Sequence, residues 1–243
     1  MRFAIFGDIH ANLEALHAVL ADAEAHSATH YVCLGDVVGY NANPHECVEI
    51  IQKLECPVVK GNHDEQASIE TGLENFNPLA EEAINWTREH LTDEDKQWLR
   101  ELEFRHQVRD FTIVHATLDT PEGWGYVFNQ LDAEASFHHQ HTNLCFYGHT
   151  HAPRAYVCDK INGSVKGLPL QRLIIEPNKK YFINVGSVGQ PRDGDWRAAY
   201  CIYSPTEHLV ELRRIAYDID TAMAKILDAG LPPRLAERLE KGK

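Results

Sequence analysis

Basic residues are scarce in this sequence of 243 residues: 23 Lys and Arg face 36 Asp and Glu, a formal charge of −13 with histidine neutral. The shortage argues against a sequence-independent nucleic-acid clamp, which needs a dense basic face. It argues against docking on anionic membranes for the same reason. Long apolar runs are missing as well. None approaches the roughly 20 residues that span a bilayer. The N-terminal run Met1-Arg2-Phe3-Ala4-Ile5-Phe6-Gly7 meets Asp8 too early to hold a secretory apolar region. The six cysteines, Cys33, Cys47, Cys56, Cys145, Cys158 and Cys201, form no CxxC pair. Neither a thiolate metal site nor a disulfide framework is expected of them. They read as buried small hydrophobes of a cytoplasmic protein.

The apolar fraction of 44% and charged fraction of 24% are ordinary for a folded chain. The length can bury a substantial core, and with no internal repeat and no linker a single domain over 1–243 is expected. Histidine is abundant, at 15 residues.

Apolar spacing predicts strands at 2–6, 31–34 and 57–59, alternating with helices at 12–25 and 44–54. Leu13, Leu16, Val19 and Leu20 recur at helical intervals, and Pro44 sits in a first turn. Such alternation implies parallel strands with right-handed crossovers, an α/β sheet covered by helices. The stretch 77–102 reads as mostly helical, with Ile84, Leu91, Trp98 and Leu102 facing the core. Thr92 followed by Asp93-Glu94-Asp95 marks a helix start there. Strands return at 103–108, 111–115 and 144–147. Short strands follow at 155–158, 172–175, 181–185, 198–203 and 209–215, between turns such as Asn162-Gly163 and Gly194-Asp195. They suggest hairpins of a second, largely antiparallel sheet. Closing helices are expected at 220–229 and 232–241.

Polar clusters follow predicted strands directly: Gly7-Asp8-Ile9-His10, Gly35-Asp36, Gly61-Asn62-His63-Asp64, His115, and Gly148-His149-Thr150-His151. Sites of open α/β sheets form at the carboxyl ends of strands, so these loops can converge despite their separation in sequence. Carboxylates and neutral imidazoles suit Zn, Mn, Fe or Ni. If the segments are extended, residues two apart, as in Asp8-x-His10 and His149-x-His151, point to one side. His138, His139 and His141 match no such pattern and read as a solvated helix end.

The ordered set Asp-x-His, Gly-Asp, Gly-Asn-His-Asp, His and Gly-His-x-His resembles the calcineurin-like metallophosphoesterase superfamily. More narrowly, it is similar to the small bacterial and archaeal phosphodiesterases of that group. The resemblance spans residues 3 to about 203 and includes Gly35-Asp36-Val37-Val38-Gly39-Tyr40 and Gly186-Ser187-Val188-Gly189-Gln190-Pro191-Arg192. It implies a four-layer αββα fold, two packed mixed sheets flanked by helices, classed α/β or by some schemes α+β. It also implies two divalent transition-metal ions: Asp8, His10, Asp36 and His151 around the first, Asp36, Asn62, His115 and His149 around the second, with Asp36 bridging. His63 would stand beside the leaving group. The expected reaction is hydrolysis of a phosphodiester or nucleotide-like small molecule, by in-line attack of a metal-bridging hydroxide. Two divalent ions against Asp8, Asp36 and that hydroxide leave the centre at about +1, attractive to phosphate on an acidic protein.

The chain departs from the protein phosphatases of the superfamily at Gly39 and Tyr40, where they carry an Asp that orients the catalytic His and an Arg that grips phosphate. A phosphoprotein substrate is therefore not expected. Ala11 stands where many relatives have Gly, and Val185 where the subgroup often has Pro. Arg192 offers either a replacement phosphate grip or an ordinary surface or ion-paired arginine. Trp124 and Tyr126 offer either a stacking surface for a nucleobase or plain packing. A catalytically silent scaffold, a nuclease and a phosphomonoesterase of the same superfamily are the competing readings.

Overall fold

The structure, a computed structural model, describes residues 1–70, 72–73 and 77–243. Its elements run β1 (Phe3–Phe6), α1 (Leu13–Ala25), β2 (His30–Cys33), α2 (Pro44–Lys53), α3 (Asn62–Ser68), α4 (Pro78–His90), α5 (Asp93–Glu101), β3 (Arg105–Val108), β4 (Phe111–Val114), α6 (Gln130–His139), β5 (Leu144–Tyr147), β6 (Arg154–Asp159), β7 (Val165–Pro169), β8 (Arg172–Ile174), β9 (Lys179–Asn184), β10 (Ala198–Ser204), β11 (Leu209–Ile215), α7 (Ile219–Asp228) and α8 (Pro233–Lys241). No helix among the described residues is long and apolar enough to cross a membrane.

Two mixed sheets result. One has the order β2-β1-β10-β11-β8, the other β3-β4-β5-β9-β6-β7. Side chains of a strand alternate between its faces, and here both faces are apolar. Phe3 and Ile5 of β1 meet Phe111, Ile113, Phe146 and Ile183 in a core between the sheets. Ala4 and Phe6 point the other way, into a second core with Leu16 and Val19 of α1, Val48 of α2 and Ile226 of α7. Cys145 and Tyr147 of β5 join Phe182 and Phe137 of α6 outside the other sheet. Helix, sheet, sheet, helix is the layering that such double-faced burial requires. Each buried Phe or Ile contributes about 1.5–3 kcal/mol of transfer free energy.

The sequence reading of a separate C-terminal sheet is corrected. β6, β7 and β9 join the sheet of β3–β5, whereas β8, β10 and β11 join β1 and β2. β9 lies parallel to β5, and β10 antiparallel to β1. Short strands between turns announced antiparallel pairing but not which sheet each strand would enter. Asn162-Gly163 does turn the β6–β7 hairpin, but Gly194-Asp195 carries the chain from one sheet to the other. The strand expected at 57–59 is reduced to isolated bridges, Cys33 to Val58 and Val59 to Glu103. The Lys60 amide already turns to the Glu103 carbonyl, and Gly61 caps α3.

The parallel pairs β1–β2 and β4–β5–β9 matter most for the site. Their carboxyl ends open at one edge of the sandwich, so the loops after β1, β2, β4, β5 and β9 share one space.

Candidate metal centre

These loops turn by an unexpected route. Asp8, His10, Asp36, His149 and His151 all have positive φ, between 49 and 66°, as do Ala11 and Tyr40. The extended segments envisaged for Asp8-x-His10 and His149-x-His151 are therefore corrected to left-handed turns. Such conformations cost non-glycine residues of order 1–3 kcal/mol each, and persist only where their surroundings over-determine them. Cross-loop hydrogen bonds do so here. The Asp8 amide donates to Gly35 O at 2.9 Å, the His10 amide to Asp36 O at 2.9 Å, and the Gly189 amide to Asp8 O at 2.9 Å. At Gly148 a side chain is excluded outright, since a Cβ would lie 2.5 Å from Asp8 Oδ2.

Two groups of buried donors result. Asp8, His10, Asp36 and His151 offer ligand atoms within 4.8 Å of one another, and Asp36, His115 and His149 do the same. Asp36 belongs to both. Its Oδ2 is 3.6 Å from His10 Nε2 and 3.3 Å from His115 Nε2, while Asp8 Oδ1 is 3.3 Å from His151 Nε2.

The hydrogen bonds behind the imidazoles test whether a cation fits. Nδ1 of His10, His115 and His151 contacts the carbonyls of Val38, Leu34 and Gln190 at 3.1, 2.8 and 2.6 Å. A carbonyl only accepts, so each Nδ1 carries the hydrogen and each Nε2 of a neutral ring presents a lone pair. His149 is reversed: its Nε2 donates to Trp124 O at 3.0 Å, so in the neutral ring Nδ1 carries the lone pair. His10 Nε2 and His151 Nε2 thus face each other at 3.1 Å with no hydrogen to share. Asn62 Oδ1 is buried without a hydrogen-bond partner among the described residues. Facing lone pairs, two carboxylates and an orphaned amide oxygen fit hard or borderline divalent ions.

The electrostatics of these donor groups agree. Burial pushes the His149 imidazole down to about 3 and His63 to about 4, so both are neutral at pH 7. His115 is also buried, but the Asp36 carboxylate outweighs that and raises it to about 9. Asp36 and Asp8 favour a proton on His115, and a cation bound here would compete with that proton.

His63 is buried beside these groups. Its amide donates to Asp36 Oδ1 at 2.8 Å, and its ring lies 4.8 Å from that of His10 and 4.5 Å from Tyr40. Gly39 leaves room for this: φ is +94°, and a Cβ would come within 2.4 Å of His63 Nδ1. Tyr40 and His10 pack against the His63 ring from two sides. Arg192 is half-buried over Tyr40, its guanidinium carbon 5.7 Å from the ring centre. It donates from Nε and Nη2 to Gln190 Oε1 at 3.3 and 2.9 Å. Trp124 packs against Phe104 and His115 and lends its carbonyl to His149. Tyr126 is 50% exposed, 4.2 Å from the His149 ring and stacked on Phe128 at 5.4 Å and 6°. His138 and His139 end α6 in solvent, and His141 is exposed just beyond it.

A family model, the calcineurin-like phosphoesterase superfamily domain, matches residues 1–207. The chain belongs to that superfamily. It is 38% identical over 246 residues to the uncharacterized protein MJ0912 of Methanocaldococcus jannaschii, across 99% of this chain and 98% of that one. The crystal structure of a metallophosphoesterase from Sphaerobacter thermophilus matches with a TM-score of 0.90 and 39% identity, covering 100% of this chain and 99% of its own. The hypothetical protein PH1004 from Pyrococcus horikoshii shares the fold at 17% identity, with a TM-score of 0.82 and coverage of 100% and 98%.

Several residues of this phosphoesterase centre escaped sequence reasoning. Asp64, quoted only as part of a motif, is fully buried. Its Oδ1 accepts from the amides of Val37 at 2.8 Å and Val38 at 3.3 Å, and its Oδ2 from Gly61 at 3.0 Å. It ties the Asp36 loop to the Asn62 helix. Asn41 Nδ2 donates to His10 O, Ser187 Oγ to Asp8 O and Asn184 Nδ2 to Gly148 O. A short polar residue beside a glycine at a strand end was the available signal. Its partner lies too far along the chain to be read from sequence.

Proposed function

We infer that this calcineurin-like phosphoesterase hydrolyses phosphodiesters or nucleotide-like small molecules with two divalent transition-metal ions, Mn, Fe, Zn or Ni. The observation that carries the reading is the pair of buried donor groups sharing Asp36. Asp8, His10, Asp36 and His151 would hold one ion; Asp36, Asn62, His115 and His149 would hold the other. When bound, the ions supply an activated water at neutral pH and stabilise charge on the phosphate oxygens.

The chain's own residues do the rest. Asp36 reaches both groups and fixes their spacing. His63 stands beside both groups within reach of a leaving oxygen. Burial keeps it neutral, so it assists through an N–H hydrogen bond more readily than by delivering a proton. Arg192, over the Tyr40 ring, would serve as a phosphate grip. The exposed Tyr126–Phe128 pair offers a face for a nucleobase, whereas Trp124 supports His149 from behind. The −13 charge supports a small substrate over a long polyanion. Six free cysteines suit the reducing cytoplasm.

The test is a metal-stripped chain reloaded with Mn²⁺, Ni²⁺ or Zn²⁺ and offered bis(p-nitrophenyl) phosphate, p-nitrophenyl phosphate and cyclic nucleotides. Diester hydrolysis with at least one metal is expected, reduced about 100-fold or more in His63→Ala. No turnover with any metal contradicts the reading.

A further inference from the structure

One wall of the His63 ring is the Gly39–Tyr40 turn. Gly39 comes so close that a Cβ on it would lie 2.4 Å from His63 Nδ1, and the Tyr40 ring centre is 4.5 Å from that of His63. A shift of this turn therefore displaces or frees the imidazole. Tyr40 has φ +63°, a conformation that a non-glycine residue keeps only where its surroundings hold it. On the inner side the hold runs through the next residue. The Asn41 amide and Asn41 Nδ2 both donate to His10 O, at 3.1 and 2.7 Å.

On the outer side the hold is a side chain from far along the sequence. Arg238 of α8, outside the family-matched residues 1–207, sets its guanidinium carbon 5.7 Å from the centre of the Tyr40 ring. A cation over an aromatic face is attracted by the ring quadrupole, and more strongly where water is excluded. Tyr40 is buried and Arg238 half-buried, so the contact is largely shielded.

Arg238 is itself set in place. Its Nε donates to Lys243 O at 2.7 Å, which fixes the guanidinium as a brace rather than offering it to a ligand. The helix behind it is anchored at two points. Leu235, Ala236 and Leu239 lie in the same apolar core as Val37, Val38 and Tyr40. Gly242 closes α8 at φ +58°, and its carbonyl accepts from the Gly194 amide at 2.9 Å. A Cβ at Gly242 would lie 2.8 Å from Asp195 N, so the helix end sits tightly on that turn.

We propose that Arg238 is a positioning residue: α8 holds it against Tyr40, and Tyr40 in turn holds the His63 imidazole where it can hydrogen-bond the leaving oxygen. This deepens the phosphoesterase reading and rests on it for the role of His63. The last helix then supports the reactive centre as well as covering the core.

The test compares Arg238→Gln with wild type, each alone and combined with His63→Ala, in the full chain loaded with the metal that supports turnover. With bis(p-nitrophenyl) phosphate, Arg238→Gln should lower kcat about tenfold and leave KM within about twofold, since a misplaced imidazole costs rate more than binding. In the His63→Ala background the same substitution should change kcat by less than about twofold, because the group it acts through is gone. Histidine-ring NMR of the Zn²⁺-loaded chain gives a readout without turnover. The His63 resonance, assigned by its loss in His63→Ala, should move in Arg238→Gln while that of His115 stays, which also reports a folded centre. An undiminished kcat, an equal loss in both backgrounds, an unmoved His63 resonance, or His63 and His115 moving together overturns the proposal. If no metal supports turnover yet the His63 resonance alone moves in Arg238→Gln, the brace stands and the enzymatic reading alone falls.

Discussion

Residue chemistry was the most legible part of the centre. A carboxylate or imidazole keeps its ligand character wherever the chain carries it, so the clusters that hold Asp8, His10, Asp36, His115, His149 and His151 stood out by their places after strands, and the structure brings these six into two donor groups; a ligand role for Asn62 came from the resemblance alone. Their backbone was not legible. Asp8 and His10 take positive φ without being glycine, and only cross-loop bonds to Gly35 and Asp36 make that possible. Asp64 shows the same limit, because its three amide donors come from two segments. An Asp64→Asn substitution keeps the shape but replaces one accepting oxygen with a donor that faces an amide. Metal affinity should fall about 10–100-fold, measured by competition with a chromogenic chelator. Unchanged affinity would show that Asp64 does not hold the Asp36 and Asn62 loops in register.

Elements were legible where an apolar stripe repeats. α1 and the strand at 144–147 emerged close to their observed bounds, and Thr92 caps α5 with Asp95 returning the bond. Three elements lacked such a stripe. α3 contains one Ala among polar residues and is held by its cap through Asp64. α6 exposes Leu131 and is fixed by Asn129, which accepts from the amides of Leu131 and Asp132. β7 is an edge strand ending at Pro169, with little buried area. Contacts between elements can also be probed by pH. Asp22 of α1 takes two hydrogen bonds from Arg213 of β11, at 3.0 and 3.1 Å, and one from Tyr200 of β10 at 2.6 Å. Burial alone would raise its carboxyl, but these donors outweigh burial and hold it below the ordinary value. A lowered native pKa stabilises above the unfolded value of about 3.9, and that stability is lost as pH falls through the native value. Asp22→Asn should therefore cost about 1–2 kcal/mol at pH 7, with the gap to wild type shrinking below about pH 4 in urea melts. A gap independent of pH would mean that shape, not charge, ties α1 to the sheet.

At the scale of the whole molecule, the −13 charge and the phosphate chemistry are reconciled by where charge lies. The chain as a whole is acidic, while two divalent ions held by the Asp36 donor groups would make one edge of the sandwich locally positive. That edge exists because β1–β2 and β4–β5–β9 run parallel with their carboxyl ends together, an arrangement that local sequence patterns do not encode. The central claim is that Asp36 joins two metal sites into one centre, and the metal content of the purified chain tests it most directly. Elemental analysis after Mn²⁺ loading and gel filtration should give two ions per wild-type chain. Asp36→Asn should retain less than one, since both sites lose the shared carboxylate. One ion in the wild type, or an undiminished two in Asp36→Asn, would contradict the account.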